Sequence, residues 1–181
     1  MKKLLLILTV VFSINASAQT NTVKAKMVYK DLTQYLKIQT PNGTQTVHIK
    51  NPGHIIKATD SLIYVETDCG TGCTGMVLVF LNPLKVKEYT DVYAVDTNRA
   101  YIATSYWQDR ELKVINAKND NIIFKKVILK TDDYDCVTPM WCFFEQIEFR
   151  GDTLYLKLNQ TYKNNYTDYF SKNKAYKFHI R

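Results

Sequence analysis

Four cysteines are the residues in this chain best suited to covalent or metal chemistry, and they fall into two close pairs. Cys69 and Cys73 enclose three residues, and Cys136 and Cys142 enclose five. Structural zinc sites and thiol-redox centres both favour the shorter CxxC spacing, which neither pair has. The spacing therefore favours structural disulfides, and we expect no metal and no other cofactor.

The N-terminus predicts export, which supplies the oxidising compartment that disulfides require. Lys2 and Lys3 precede the apolar run 4–12, and Ala16-Ser17-Ala18 forms a small-x-small cleavage site. These are the three parts of a secretory signal peptide. The apolar run is about half the ~20 residues needed to cross a bilayer. We therefore expect cleavage after Ala18 and a periplasmic or secreted chain, residues 19–181, with no membrane span.

Four oxidised cysteines permit three connectivities, and the close spacings favour two local loops. A loop of this size would stabilise the fold by only about 2 kcal/mol, against about 4 kcal/mol for a bridge between the two pairs. Local bridges would therefore rigidify two loops more than they would hold the domain together.

The segment around the first cysteine pair resembles a CGTxC motif of functionally uncharacterised small exported bacterial β-proteins. Here the motif reads Cys69-Gly70-Thr71-Gly72-Cys73, and a strand-like run at 76–81 follows it. The likeness covers about twenty residues and departs at the next turn, where Leu81-Asn82-Pro83-Leu84-Lys85 replaces Asp-x-x-Thr-Gly. The resemblance implies a local bridge between the two cysteines and a β-fold, and it carries no activity.

The composition describes one globular chain. It has 181 residues, of which 46% are hydrophobic and 13% aromatic, and a net charge of +7. These values exclude disorder, a collagen-like fibre, a coiled coil and a multi-pass membrane protein. Without residues 1–18 the chain keeps 22 basic and 17 acidic residues, a net charge of +5. This charge permits acidic partners without demanding them, and export argues against nucleic acid as a partner.

Alternating apolar and polar residues predict an all-β antiparallel meander of about ten to twelve short strands. The architecture would be a sandwich, a barrel or a propeller-like array in a single domain. Hairpin turns are expected at 41–43, 118–120 and 150–152, and one short helix is allowed near 31–36. The predicted strands are 35–38, 47–50, 62–65, 76–81, 92–95, 101–104, 112–115, 122–129, 143–149, 154–158 and 175–180.

The polar residues show no recognisable catalytic motif. The patterns GxSxG, HExxH and the P-loop are absent from the sequence. His48 and His179 alternate with apolar strand residues and are expected to face solvent, whereas His54 is expected in a turn. The acidic cluster 132–135 does not fit a calcium loop. A glycosidase needs two carboxylates across a cleft, and the candidates are Glu66, Asp68, Glu145 and Glu148.

Aromatic residues interleaved with lysine and asparagine at 162–174 suggest a binding loop. Rings give contact area at low entropic cost, and amides adapt to a partner. A second aromatic turn lies at 106–110. The candidate binding residues are Tyr106, Trp107, Tyr162, Tyr166, Tyr169 and Lys172.

These features favour a non-enzymatic module of the bacterial envelope that binds another protein, of the inhibitor or immunity type. A glycan-binding module is the first alternative. A hydrolase with dispersed carboxylates is the second.

Export can be tested on the protein secreted by living cells. Because signal peptidase cuts after the small-x-small site, intact mass spectrometry should find a chain that begins at Gln19. A chain that retains Met1 would contradict export.

Overall fold

A computed structural model gives the fold and describes residues 23–70, 73–105, 110–130 and 141–180. Over these residues the protein is all-β, with fourteen antiparallel strands. Two short 3-10 helices are present, Trp141–Phe143 and Gln160–Asn165, and no helix in the described part of the chain is long and apolar enough to cross a membrane. The strands are β1 (Lys24–Lys30), β2 (Thr33–Thr40), β3 (Gly43–Ile49), β4 (Gly53–Ala58), β5 (Leu62–Asp68), β6 (Thr74–Leu81), β7 (Leu84–Tyr89), β8 (Val92–Asp96), β9 (Tyr101–Thr104), β10 (Glu111–Asn116), β11 (Asn121–Val127), β12 (Phe144–Arg150), β13 (Thr153–Leu158) and β14 (Ala175–His179).

The strands form four separate meander sheets in which sequence neighbours are also spatial neighbours. Sheet 1 contains β1–β3, sheet 2 contains β4–β7, sheet 3 contains β8–β11 and sheet 4 contains β12–β14. Within the described ranges, none of these sheets closes on itself. The all-β antiparallel prediction is confirmed, with a few more strands than expected.

The additional strands are β1, β4 and β7, and all three are edge strands of their sheets. An edge strand exposes much of its length and often carries lysines, so its apolar alternation is weak. β1 reads KAKMVYK and β7 reads LKVKEY, with few buried positions. The prediction of a turn at His54 is wrong, since this residue lies in β4. The cause is again the weak apolar alternation of an edge strand.

The hairpin between β1 and β2 replaces the short helix that the sequence allowed near 31–36. Asp31 and Leu32 have positive φ angles of 50° and 63°, as a two-residue type I′ turn requires. From Thr33 the chain is extended, and Gln34, Leu36 and Ile38 are buried at every second position. A period of two residues belongs to a strand, so the helix is not formed.

The four sheets pack face to face in sequence order, with one apolar cluster between each consecutive pair. β5 shows how alternation supplies two of these clusters. Ile63 and Val65 face sheet 1, whereas Leu62 and Tyr64 face sheet 3. The third cluster joins sheets 3 and 4 and includes Phe143. Since β1 also lies beside β4, and β8 beside β12, the series resembles consecutive propeller blades.

A buried glutamine connects sheet 1 to sheet 2. The Gln34 side chain donates to Gly53 O and accepts from Gly53 N, both at 2.7 Å. Gly53 must lack a side chain here, since an added Cβ would lie 2.4 Å from Glu66 O. This pair of hydrogen bonds fixes where sheet 2 begins.

Two cations connect the later sheets. Lys87 of sheet 2 donates to Ala117 O at 2.6 Å and to Asp120 at 2.7 Å. Arg99, in the turn between β8 and β9, donates to Ile180 O at 3.1 Å and to Gly151 O at 2.5 Å, and it pairs with Asp96. Arg99 thus joins sheet 3 to one end of sheet 4, where the β12–β13 turn lies beside the residue that follows β14.

Truncation of Arg99 should destabilise the fold because it leaves backbone carbonyls of sheet 4 without their donor. We expect R99A to lower the free energy of unfolding in urea by about 1.5–3 kcal/mol. The matched control is R150A, since exposed Arg150 pairs with Glu148 of its own strand and stacks on Tyr155. That change should cost about 1 kcal/mol or less. Equal losses in the two variants would contradict the role given to Arg99.

Candidate functional site

The predicted aromatic loop lies between β13 and β14 and docks on the end of sheet 3. Asn159 begins it, because its side chain accepts from Thr161 N and caps the 3-10 helix Gln160–Asn165. Beyond this helix, Tyr166 pairs with Leu129 as an isolated bridge, and Thr167 N donates to Ile128 O at 2.9 Å. Backbone hydrogen bonds therefore hold the loop against sheet 3.

Tyr166 lies in the core and not on the surface. It has no exposed area, and its hydroxyl shares its one proton between Phe143 O at 2.7 Å and Asn159 O at 2.8 Å. Burial raises the pKa of this phenol. Its ring is enclosed and therefore offers no contact surface to a ligand, contrary to the expectation for this residue. Its position makes it an anchor for the loop.

Tyr169 is exposed and held in place. It keeps 55% of its surface area accessible, while its ring packs edge-on against Phe170 at 4.9 Å and lies 5.3 Å from Tyr176. The Tyr176 hydroxyl donates to Tyr169 O at 2.6 Å and accepts from Asn173 N at 3.1 Å. These contacts fix the backbone around the ring, so its free face is presented without a large loss of entropy on binding.

Charged side chains surround Tyr169. Lys126 of β11 places its Nζ 5.9 Å from the Tyr169 ring centroid. Asp168 pairs with Lys130 at 3.2 Å, and Lys172 is exposed in the same loop. We call Tyr169, Lys126, Lys130, Asp168 and Lys172 the Tyr169 surface. Lys126 and Lys130 were not among the predicted binding residues, since nothing in the sequence places β11 beside this loop.

Tyr162, the remaining candidate aromatic that the structure describes, does not extend this surface. Tyr162 is half-buried, with its ring edge-on to Phe143 at 4.8 Å. Its contact is thus with the core residue that also accepts the Tyr166 hydrogen bond. Tyr106 and Trp107 lie outside the described residues.

The first cysteine pair forms the local disulfide that the motif implied. Cys69 and Cys73 are bonded, with Cα atoms 5.3 Å apart. Asp68 organises the loop because its side chain accepts from Gly70 N at 2.9 Å. Gly70 has a φ of 112°, which favours glycine. Cys142 is disulfide-bonded as well, and Cys136 lies outside the described residues.

An open pocket of about 420 Å³ lies beside this disulfide. His54 and Glu66 are register partners on β4 and β5, and both line it together with Asp68 and Tyr29. Two candidate carboxylates are therefore brought to one pocket. Asp68 is already engaged in the turn at Gly70, which gives it a structural role. No group of three or more His, Cys, Asp or Glu side chains among the described residues could hold a metal ion.

The other two candidate carboxylates are engaged in ion pairs on sheet 4. Glu145 pairs with Lys157 and, at 3.8 Å, with Lys174. The hydrogen bond from Lys157 holds the pKa of Glu145 below its usual value. Glu148 pairs with Arg150. The cluster 132–135 lies outside the described residues.

Neither a family model nor a curated protein matches this chain.

The buried tyrosines should make stability fall in alkali. Burial, with a smaller contribution from Asp96, raises the pKa of Tyr64 to about 12, and burial also raises that of Tyr166. The folded state then holds these protons more tightly than the unfolded chain, whose tyrosines titrate near 10. The resulting stability is complete below pH ~10 and is lost as the pH rises towards ~12.

An ultraviolet titration of tyrosinate tests this linkage. We expect a late absorbance increase that coincides with unfolding, and the Y64F/Y166F variant should lack it. Ionisation of every tyrosine in one reversible phase, with the fold intact, would contradict the burial of these two phenols.

Proposed function

We propose that this protein is an exported, non-enzymatic interaction module that binds another protein of the bacterial envelope through the Tyr169 surface. The observation that supports this proposal is the exposed Tyr169 ring, fixed by Phe170 and Tyr176 and flanked by lysines. The protein would then inhibit or neutralise its partner by binding it, as the members of inhibitor and immunity pairs do.

The chemistry of the surface favours a protein partner. Tyrosine is enriched among residues that dominate interface energies, because a rigid ring buries much area with few torsions. The Lys130–Asp168 pair supplies a polar rim, and Lys126 and Lys172 supply unbalanced positive charge. We infer that the partner presents carboxylates around an apolar recess that accepts the ring of Tyr169.

A glycan-binding role for this loop has weaker support. Of the described candidate aromatics in this loop, Tyr169 alone is exposed, because Tyr166 is enclosed in the core and Tyr162 is half-buried. The open pocket beside Cys73 lies at sheet 2 and not at this loop. The hydrolase alternative depends on Glu66 and Asp68, and the turn at Gly70 already uses Asp68.

Periplasmic or secreted localisation is part of the proposal. The local disulfide between Cys69 and Cys73 supports it, since such bonds persist in oxidising compartments. The predicted signal peptide at 1–18 would direct the chain to export.

Truncation of Tyr169 should remove most of the binding to the partner. A pull-down from an envelope extract supplies that partner, and titration calorimetry then measures its affinity. We expect Y169A to raise the Kd about thirtyfold, as loss of a residue worth ~2 kcal/mol would.

The control for this experiment is Y29A. Tyr29 is 67% exposed and lies on β1, remote in the series of sheets from the Tyr169 surface. This variant should bind as the unmodified protein does. An unchanged affinity for Y169A in a protein with an unchanged melting temperature would overturn the proposal, and a captured carbohydrate would favour the glycan alternative.

A further inference from the structure

The outer face of sheet 1 carries a concentration of positive charge that the preceding proposal does not use. Alternation turns Ala25, Leu36 and Ile49 inward to sheet 2, and their neighbours outward. Four of the outward residues are exposed lysines. We call them the lysine face: Lys24, Lys26, Lys30 and Lys37.

Within the described residues, no ion pair compensates this charge. Strands β1, β2 and β3 contain no Asp or Glu. In the described part of the chain, no acidic side chain forms an ion pair with any lysine of this face. Lys50, at the end of β3, is different because it turns to Glu88 of sheet 2 at 3.5 Å.

The lysines are also placed against each other. Lys26 and Lys37 are direct register partners on β1 and β2, so their side chains leave the sheet side by side. Like charges directly opposite one another destabilise an antiparallel pair. Lys24 follows on the same face, about 6.8 Å along the strand from Lys26. Such an arrangement costs stability in the free protein, and a bound anion would relieve it.

The outer face of sheet 4 provides an internal comparison. It also lies at one end of the series of sheets, yet it carries acidic as well as basic residues, and several of them are paired. Lys177 forms no ion pair with the described residues. Glu145 contacts Lys157, Glu148 contacts Arg150, and Asp152 lies 3.7 Å from His179. An uncovered sheet face in this protein therefore does not need to be uniformly basic. The lysine face is specific to sheet 1.

The other outward residues of sheet 1 indicate which polyanion fits. Register partners on β1, β2 and β3 form rows across this face. The row of Lys24 continues with Gln39 and Thr44, and the row of Lys26 and Lys37 continues with Thr46. The amide and hydroxyl groups of these residues suit sugar hydroxyls. In the next row the Tyr35 and His48 rings lie 5.5 Å apart, with an angle of 40° between their planes. Rings of this kind stack on the apolar faces of sugars and bases.

We propose that the outer face of sheet 1 binds a linear anionic polysaccharide, with the lysine face neutralising its sulfate or carboxylate groups and the Tyr35–His48 pair stacking on a sugar ring. A lipid surface fits less well, since Val28 is the one aliphatic residue in these rows and insertion needs several. A protein partner would require a larger apolar centre than the single row of Val28 and Tyr35 supplies.

The test compares polymers that differ in one property at a time, using the full mature chain. Dextran sulfate and neutral dextran share a backbone and differ in charge, whereas polyglutamate and duplex DNA carry charge without that backbone. We expect dextran sulfate to bind, with an affinity that falls as salt rises, and neutral dextran not to bind. We expect the affinities for polyglutamate and DNA to be lower than that for dextran sulfate by a factor of about ten or more.

Two double variants locate the surface. K24Q/K37Q should weaken dextran sulfate binding about tenfold or more, because two charges near a polyanion are lost. K118Q/K177Q removes two exposed lysines elsewhere and therefore has the same net charge as K24Q/K37Q. Its affinity for dextran sulfate should stay within about twofold of that of the unmodified protein. K24Q/K37Q should also melt at or above the temperature of the unmodified protein, since like-charge repulsion is relieved.

A third variant tests the choice of ligand. Y35S should weaken binding of dextran sulfate and leave the weak binding of polyglutamate unchanged. Equal affinity for all the anionic polymers would overturn the glycan assignment in favour of a nonselective basic surface. Unchanged binding by K24Q/K37Q, or an equal loss in K118Q/K177Q, would overturn the site itself. Y169A should bind dextran sulfate normally, which separates this result from the protein-binding proposal.

Discussion

Each sheet of this protein must be covered by another sheet, because a three- or four-stranded meander cannot bury its apolar residues alone. Sheets 2 and 3 meet this requirement on both faces. In β5 the run Leu62–Val65 is accordingly buried at every position, without alternation. Gln34, Lys87 and Arg99 add polar links across the three junctions. The order of the sheets thus follows from one constraint, repeated along the chain.

The same constraint leaves two sheet faces, one at each end of the series, without a covering sheet among the described residues. The outer face of sheet 4 carries several ion pairs, whereas the lysine face of sheet 1 forms none with the described residues. The loop after β13 adds a second type of exposed surface, where Tyr169 stands on a support of Phe170 and Tyr176. The covered strands of sheets 2 and 3 serve stability, whereas the two surfaces that we propose for binding lie on the outer face of sheet 1 and at the loop after β13.

Local chemistry made much of the fold predictable. Turn residues at 41–43, 118–120 and 150–152 and the alternation in strands such as β13 have local physical causes that a sequence displays. Edge strands such as β1 were missed because solvent weakens their alternation. The candidate site was less predictable, since Tyr166 and Tyr169 have similar neighbours in sequence. Tyr166 is buried because Phe143 and Leu129, both distant in sequence, enclose it, and nothing local shows that contact.

Hydrogen–deuterium exchange on the full chain, with and without dextran sulfate, tests most directly whether function lies at the ends of the series. Our account predicts slow exchange in β5, β6, β9 and β10 under both conditions, because these strands are covered on both faces. It also predicts that the polymer slows exchange within residues 24–50 and leaves the loop at 162–174 unchanged. Polymer-induced protection spread through the central strands, or confined to the loop after β13, would contradict it.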